Sequence, residues 1–173
     1  MNKEDGMEDY LKTLGNGFNQ VGVLVENLEE GIEKYRKSFG VRKWVIYTYD
    51  SKIVKEMTYH GKKSEYAMRL ALSNDVKGMQ IELIQPLKGP SIYHDFIESR
   101  GYGFHHFGVA CDNVEEEIKV LETAGFKAIQ EGKNFSPSGG GHFAYIDTEE
   151  VLGYIIELRQ SPPDRWPPEK VVE

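Results

Sequence analysis

The chain repeats itself, and this repeat constrains its fold more than any other feature of the sequence. Residues 20–37 (QVGVLVENLEEGIEKYRK) align without a gap on residues 106–123 (HFGVACDNVEEEIKVLET), with six identities. Residues 80–86 (QIELIQP) align in the same way on residues 155–161 (IIELRQS). Because chance is a poor explanation for two matches in the same order, we predict two copies of one supersecondary unit.

Each copy has the pattern of a strand, a helix and three further strands. The runs FNQVGVLV and FHHFGVAC indicate buried strands, and apolar residues at helical spacing follow each of them. Asn27 and Asn113 are the predicted helix N-caps, and Gly40 and Gly125 are the predicted C-caps. The predicted buried helix faces comprise Leu28, Ile32, Tyr35 and Phe39 in one copy and Val114, Ile118 and Leu121 in the other. The fold class is therefore α+β, with two tandem βαβββ modules.

The boundaries of these units follow from turns and composition. We predict an N-terminal extension (1–17), a duplicated domain (18–160) made of repeat one (18–89), a connecting helix (90–101) and repeat two (102–160), and a proline-rich tail (161–173). A short helix is expected within the extension. The tail contains too much proline to join a sheet, so it should run extended, with Trp166 as its anchor.

Charge and composition exclude several classes of function. The formal net charge is −7 with no basic stripe, which excludes nucleic acid as the expected partner. The acidic start MNKEDGMEDY lacks the features of a secretion signal, and no apolar run is long enough to cross a membrane. The single Cys111, interpreted as a buried strand thiol, cannot form an internal disulfide. We therefore expect a cytoplasmic location.

Polar groups recur at equivalent points of the two repeats. Gln20 and His106 lie in the first strands, and Glu82 and Glu157 interrupt apolar patterns in the last strands. Taken singly, these residues also fit a strand-edge amide, a core histidine and solvent-facing carboxylates. Taken together they favour one divalent cation between the repeats, because a buried charge needs a partner and no basic residue recurs beside both glutamates. His105 should point to the opposite face of its strand, in a structural or supporting role.

The segments GFHHFGVACDNVEEEIKVLETAGFK, SGGGHFAYID and GYIIEL resemble the vicinal oxygen chelate superfamily, particularly methylmalonyl-CoA epimerase and glyoxalase I (lactoylglutathione lyase). The resemblance implies that the eight strands form one cupped mixed sheet, and that Gln20, Glu82, His106 and Glu157 are the metal ligands. It also implies a homodimer.

The ligand identities narrow the subclass within that resemblance. Extradiol dioxygenases use two histidines and one glutamate, so Gln20 argues against them. Methylmalonyl-CoA epimerases usually place histidine at the position of Gln20, whereas zinc-type glyoxalase I has Gln, Glu, His and Glu in this order. Zinc fits such a set best, and nickel, cobalt or manganese also fit.

The expected activity is that of a glyoxalase I-like lyase or isomerase, which shifts a proton next to a carbonyl through a metal-stabilised enediolate. By resemblance, Glu157 is the leading candidate for the general base and Glu82 is a ligand or a second acid/base. The substrate would be a small thioester or hemithioacetal. Two alternatives remain open: a methylmalonyl-CoA epimerase-like racemase, and a non-catalytic, drug-sequestering protein of the same fold.

Further candidate contacts to substrate lie outside these four positions. The loop 136–141 (SPSGGG) is either a lid or an ordinary hairpin loop. Arg69 is a candidate for a substrate carboxylate, and Lys62 and Lys63 are candidates for coenzyme A phosphates. Each also fits an ordinary surface position.

Overall fold

A computed structural model describes Gly15 and residues 17–173 of the chain. The strands are β1 (Gln20–Leu24), β2 (Trp44–Tyr49), β3 (Glu56–Tyr59), β4 (Lys62–Lys63), β5 (Ala67–Ser73), β6 (Gln80–Lys88), β7 (Gly103–Ala110), β8 (Ala128–Lys133), β9 (His142–Ile146), β10 (Ile155–Gln160) and β11 (Lys170–Val172). The helices are α1 (Leu28–Phe39), α2 (Ile92–Arg100), α3 (Val114–Thr123) and α4 (Glu149–Leu152). The short helix predicted in the N-terminal extension lies outside the described residues.

All these strands form one curled mixed sheet, in the order β11-β2-β5-β6-β1-β7-β10-β9-β8-β3-β4. The pairs β1–β6 and β7–β10 are parallel, and the two repeats join through the antiparallel pair β1–β7 at the centre. The eight predicted strands are present as two βαβββ modules, which confirms the fold class. Three further strands, β3, β4 and β11, extend the sheet to eleven.

Helices α1 and α3 cover the outer face of the sheet and begin at the predicted caps. The side chain of Asn27 accepts a hydrogen bond from the amide of Glu30, and Asn113 does the same in the second repeat. Gly40 ends α1 in the left-handed conformation, as predicted. In α3, however, Ala124 is the C-cap and Gly125 follows it with φ 92°. The predicted burial of Phe39 is wrong, since this side chain is 78% exposed at the end of α1.

The hairpin β3–β4 departs from the predicted repeat. It follows β2 along the chain, but it pairs with β8 of the second repeat, through Glu56 opposite Lys133 and Tyr59 opposite Gln130. The first repeat therefore contributes β2 next to one end of the sheet and the hairpin β3–β4 at the other end. Lys62 and Lys63 form β4 at the outer edge and are exposed.

The proline-rich tail also departs from prediction, because its last residues do join the sheet. Its prolines precede Lys170, so Lys170–Val172 has free amides and pairs with the edge strand β2. Trp166 is 41% exposed and does not anchor the tail as predicted. Cys111 lies one residue beyond β7 and is only half-buried, which corrects its prediction as a buried strand thiol. Burial and the nearby acidic side chains raise the pKa of this thiol to about 11.

Candidate metal centre

The four predicted ligand residues meet on the inner face of the central strands. Gln20 of β1 and His106 of β7 are 2% and 0% exposed, while Glu82 of β6 and Glu157 of β10 are 6% and 4% exposed. Their side chains share one face because strand residues alternate and both pairs occupy equivalent positions of the repeat. The structure therefore brings together all four residues that the sequence singled out.

One ring nitrogen of His106 lies close to both carboxylates. Its Nε2 atom is 3.4 Å from Oε2 of Glu82 and 3.3 Å from Oε2 of Glu157. The side-chain amide of Gln20 lies 2.7 Å from the same Glu157 oxygen. This amide has two possible orientations. If its NH2 group faces the carboxylate of Glu157, it donates a hydrogen bond. If its oxygen faces the carboxylate, the two oxygens repel each other unless a cation binds both.

Two glycines at equivalent positions of the repeats make room for these side chains. Gly22 lies opposite His106 in the β1–β7 pair, and a Cβ atom there would be 1.9 Å from Cε1 of the imidazole. Gly108 lies opposite Gln20, and a Cβ atom there would be 2.6 Å from the amide oxygen. Each repeat therefore supplies one polar side chain and the space for that of the other repeat.

The electrostatics of the centre are those of a site for a cation. Burial raises the pKa of Glu82. Burial alone would lower the pKa of His106, but the carboxylates of Glu157 and Glu82 outweigh it and raise this pKa to about 9. Oε2 of Glu82 and Nε2 of His106 have no hydrogen-bond partner among the described residues. Because these orphaned atoms face each other and the ligand atoms of Glu82, His106 and Glu157 all lie within 4.8 Å, the donor set fits a divalent metal ion.

Strand alternation predicted that His105 points to the opposite face from His106. This prediction is wrong, because the two imidazoles contact each other. The β1–β7 register passes from His106 opposite Gly22 to Phe104 opposite Val23, so His105 is the extra residue of a β-bulge. Its ring is buried against Tyr145, which His106 also contacts. The Nδ1 atoms of the two imidazoles are 3.0 Å apart, so one of them donates a hydrogen bond to the other.

A cavity opens above the candidate ligands and contains residues that sequence reasoning missed. Arg159 of β10 lies two residues after Glu157 on the same face, and its Nε atom is 3.8 Å from Oε2 of that glutamate. Period-two alternation could have identified it. The other lining residues include Tyr49, Met68, Leu70, Leu72, Tyr93, Phe135, Phe143, Tyr145 and Arg165.

The remaining sequence candidates lie elsewhere. Arg69 pairs with Glu29 of α1 at 2.9 Å and with Glu169 of the tail at 3.3 Å. It does not line the cavity described above, so it is not a substrate contact there. The three glycines of the 136–141 loop have positive φ, and the loop is bound to the tail through Ser138 and Asp164.

The chain belongs to the Glyoxalase/Bleomycin resistance protein/Dioxygenase superfamily, whose family model matches residues 19–145. Among curated proteins, YqjC of Bacillus subtilis (strain 168) is 31% identical over 84 residues, which is 46% of this chain. The match spans only 56% of that relative's length.

Solved structures share the fold over most of the chain. A methylmalonyl-CoA epimerase of Streptomyces coelicolor in complex with 2-nitronate-propionyl-CoA superposes with a TM-score of 0.57 and 18% identity, covering 87% of this chain and 97% of its own. The epimerase of Mycobacterium tuberculosis gives 0.57 and 20%, covering 85% and 89%. BH1468 of Bacillus halodurans C-125 gives 0.55 and 20%, covering 86% and 96%. None of the helices in the described part of the chain is long and apolar enough to span a membrane.

Proposed function

We propose that this protein is a divalent-metal-dependent lyase or isomerase that shifts a proton next to a substrate carbonyl. The observation that carries the proposal is the buried group Glu82, His106 and Glu157: its ligand atoms lie within 4.8 Å of one another, and Oε2 of Glu82 and Nε2 of His106 have no hydrogen-bond partner among the described residues. Two carboxylates are buried here beside one imidazole, and Arg159 pairs only with Glu157, at 3.8 Å, so the carboxylate of Glu82 depends on His106 and on a bound cation for its charge balance. Such an arrangement is costly unless it holds a cation.

Glu82, His106 and Glu157 would hold the cation, and Gln20 would complete the set through its amide oxygen. A divalent cation bound there would polarise a carbonyl oxygen and stabilise the negative charge that develops when the neighbouring C–H proton leaves. The proposal includes zinc as the cation, since nitrogen and oxygen ligands suit it. It also includes a homodimer and a cytoplasmic location.

The proton itself would move between the substrate and a glutamate. We assign Glu157 as the general base, because its Oε2 atom lies at the Gln20 side of the cavity and within 3.8 Å of Nε of Arg159. Oε2 of Glu82 lies 3.4 Å from Nε2 of His106. Glu82 would serve as a fixed ligand of the cation or as the second acid/base group.

The ligand set favours a glyoxalase I-like reaction on a hemithioacetal. A methylmalonyl-CoA epimerase-like reaction is the second candidate, and one observation favours it: two carboxylates lie 3.4 Å and 3.3 Å from the same nitrogen of His106, so the site offers two groups for the removal and return of a proton. A non-catalytic binding protein of the same fold has no use for these buried carboxylates.

The test begins with metal content. Purified protein should bind one zinc ion per chain, and Glu157→Gln should weaken that binding, whereas Glu98→Gln on the exposed side of α2 serves as the matched control. Protein without stoichiometric metal, or equal zinc affinity of wild type and Glu157→Gln, contradicts the proposal.

Turnover in deuterium oxide then separates the two reactions. Exchange at the α-carbon of methylmalonyl-CoA supports the epimerase, and conversion of the methylglyoxal–glutathione adduct supports the glyoxalase-like lyase. Zinc-loaded protein that turns over neither substrate favours the binding protein.

A further inference from the structure

The tail after β10 crosses from the second repeat to the edge strand of the first, and it passes the opening of the cavity. Three residues of its first part, Ser161, Pro162 and Arg165, line the same cavity as Glu82 and Glu157. The tail therefore contributes side chains to the candidate active site, although it lies outside the repeats.

Contacts on both sides of Arg165 hold this part of the tail in place. Asp164 accepts a hydrogen bond of 2.8 Å from Oγ of Ser138 in the glycine-rich loop. Further along, Glu169 accepts one of 2.7 Å from Thr48, and β11 pairs with β2. Arg165 is thus presented at the cavity from a segment fixed at two points.

The two arginines that line the cavity are not equally engaged. Arg159 donates to Oε1 of Gln80 at 3.0 Å and to Oδ1 of Asn19. Arg165 has no ion-pair or hydrogen-bond partner among the residues that the structure describes. Burial raises the pKa of Tyr49 to about 12, and the positive charge of Arg165 acts on this cavity residue in the opposite direction.

We propose that Arg165 binds a carboxylate of the substrate, so that the substrate has a carboxylate distinct from the oxygens held at Glu82, His106 and Glu157. A guanidinium group with free donors suits a carboxylate because it forms two parallel hydrogen bonds. Leu70 and other apolar residues of the cavity wall cannot pair with the guanidinium, and the carboxylates of Glu82 and Glu157 in the same cavity are assigned to the cation. This inference rests on the proposed function, which supplies the site for the reacting oxygens.

The test compares two probes that differ only in the second carboxylate. Malate and 2-hydroxybutyrate share a hydroxy acid group, and their dissociation constants are measured by calorimetry on zinc-loaded protein, with bound zinc measured again after each titration. Wild type should prefer malate by at least about tenfold, the value of one charge-assisted hydrogen-bond pair. Arg165→Gln should reduce the preference to about twofold or less, and Arg165→Lys should retain part of it. Arg42→Gln, an exposed arginine outside this cavity, should keep the wild-type preference.

The outcomes separate this inference from the function on which it rests. Zinc-loaded wild type without a preference for malate, or Arg165→Gln with an intact preference, overturns the inference alone. Protein that binds no zinc but prefers malate through Arg165 overturns the proposed function and supports the carboxylate site. A second arm compares coenzyme A with pantetheine: a preference for coenzyme A that needs Arg165, with no preference for malate, assigns the guanidinium to a phosphate and overturns the carboxylate assignment.

Discussion

The first strands of the two repeats, β1 and β7, lie side by side in antiparallel orientation, and each places one polar side chain and one glycine in the candidate metal centre. Gln20 faces Gly108, and His106 faces Gly22. The space that each side chain needs is therefore built into the other repeat. The ligand residue of one strand can therefore be exchanged without a change in the backbone pairing of β1 and β7.

The two strands differ in chemistry and in regularity. Repeat one supplies a neutral amide, whereas repeat two supplies an imidazole. The residue before each ligand is also polar: Asn19 accepts from Arg159, and His105 meets the imidazole of His106. Only β7 has a bulge at this point, so only repeat two turns both consecutive side chains toward the same buried cluster. We infer that, of these two first strands, β7 contributes the stronger metal ligand and β1 the weaker one, while Glu82 of repeat one and Glu157 of repeat two complete the set.

The largest difference between the repeats should appear when the ligands are exchanged. His106→Gln should weaken zinc binding by at least about 100-fold, because second-sphere losses alone cost 10–100-fold and this change removes the nitrogen ligand itself. It should also destabilise the metal-free protein by about 3–5 kcal/mol, since Glu82 and Glu157 lose the cation that partners them. Zinc titration and urea unfolding measure the two effects.

Gln20→His is the matched variant in repeat one. It should bind zinc at least as tightly as wild type, because it adds a second nitrogen ligand in a position already cleared by Gly108. Equal losses in His106→Gln and Gln20→His would show that the repeats contribute alike, contrary to the comparison.

The sequence predicted the four buried polar residues because each depends on a local rule applied twice. Glu82 and Glu157 break apolar strand patterns, and alternation places them on the face of Gln20 and His106. The same rule predicts that Arg159 lies on this face, because it follows Glu157 by two residues. The repeat and the period of two residues are enough to predict the positions of all these side chains.

Other features depend on pairings that are distant in the chain and leave no periodic signal. The hairpin β3–β4 pairs with β8, more than 70 residues later, and its strands of four and two residues are too short to show a periodic pattern. The bulge at His105 reverses the expected direction of one side chain because a single extra residue shifts the alternation. The pairing of Lys170–Val172 required an open edge on β2, which only the assembled sheet provides.

The two glycines offer a second way to test the comparison. Gly22→Ala should weaken zinc binding by about 100-fold and destabilise the fold by about 1–3 kcal/mol, because its Cβ atom would overlap the buried imidazole of His106. Gly108→Ala should have a smaller effect, of about tenfold, because its Cβ atom would lie 2.6 Å from the amide oxygen and 2.9 Å from Cβ of Gln20, farther than the 1.9 Å at Gly22, and the amide can rotate away. Gly15→Ala, with no atom of the described residues within 4 Å of the added Cβ, is the control. If zinc titration gave a larger loss of affinity for Gly108→Ala than for Gly22→Ala, the side chain of Gln20 would have less space than that of His106, contrary to this prediction.

The pH dependence of zinc binding should also report on repeat two. Since the pKa of His106 in the metal-free protein is raised to about 9, zinc must displace a proton at any lower pH. Its affinity should therefore rise with pH by about tenfold per unit up to pH 9 and then level off, whereas the raised pKa of Glu82 adds further loss under acidic conditions. An affinity independent of pH between 7 and 9 would show that His106 does not exchange a proton for the metal.

The smallest expected difference concerns the residues that precede the ligands. When Nε2 of His106 faces the cation, its Nδ1 carries the proton and donates a hydrogen bond to Nδ1 of His105. His105→Phe removes that acceptor while keeping an aromatic ring in the cluster with Phe96 and Tyr145, so zinc affinity should fall by about tenfold while the melting temperature of the metal-free protein changes little. Asn19→Ala frees Arg159 but touches neither ring of the histidine pair, so it should change zinc affinity less. If both variants lost the same zinc affinity, His105 would not fix the tautomer of His106. The bulge in repeat two would then contribute to packing alone.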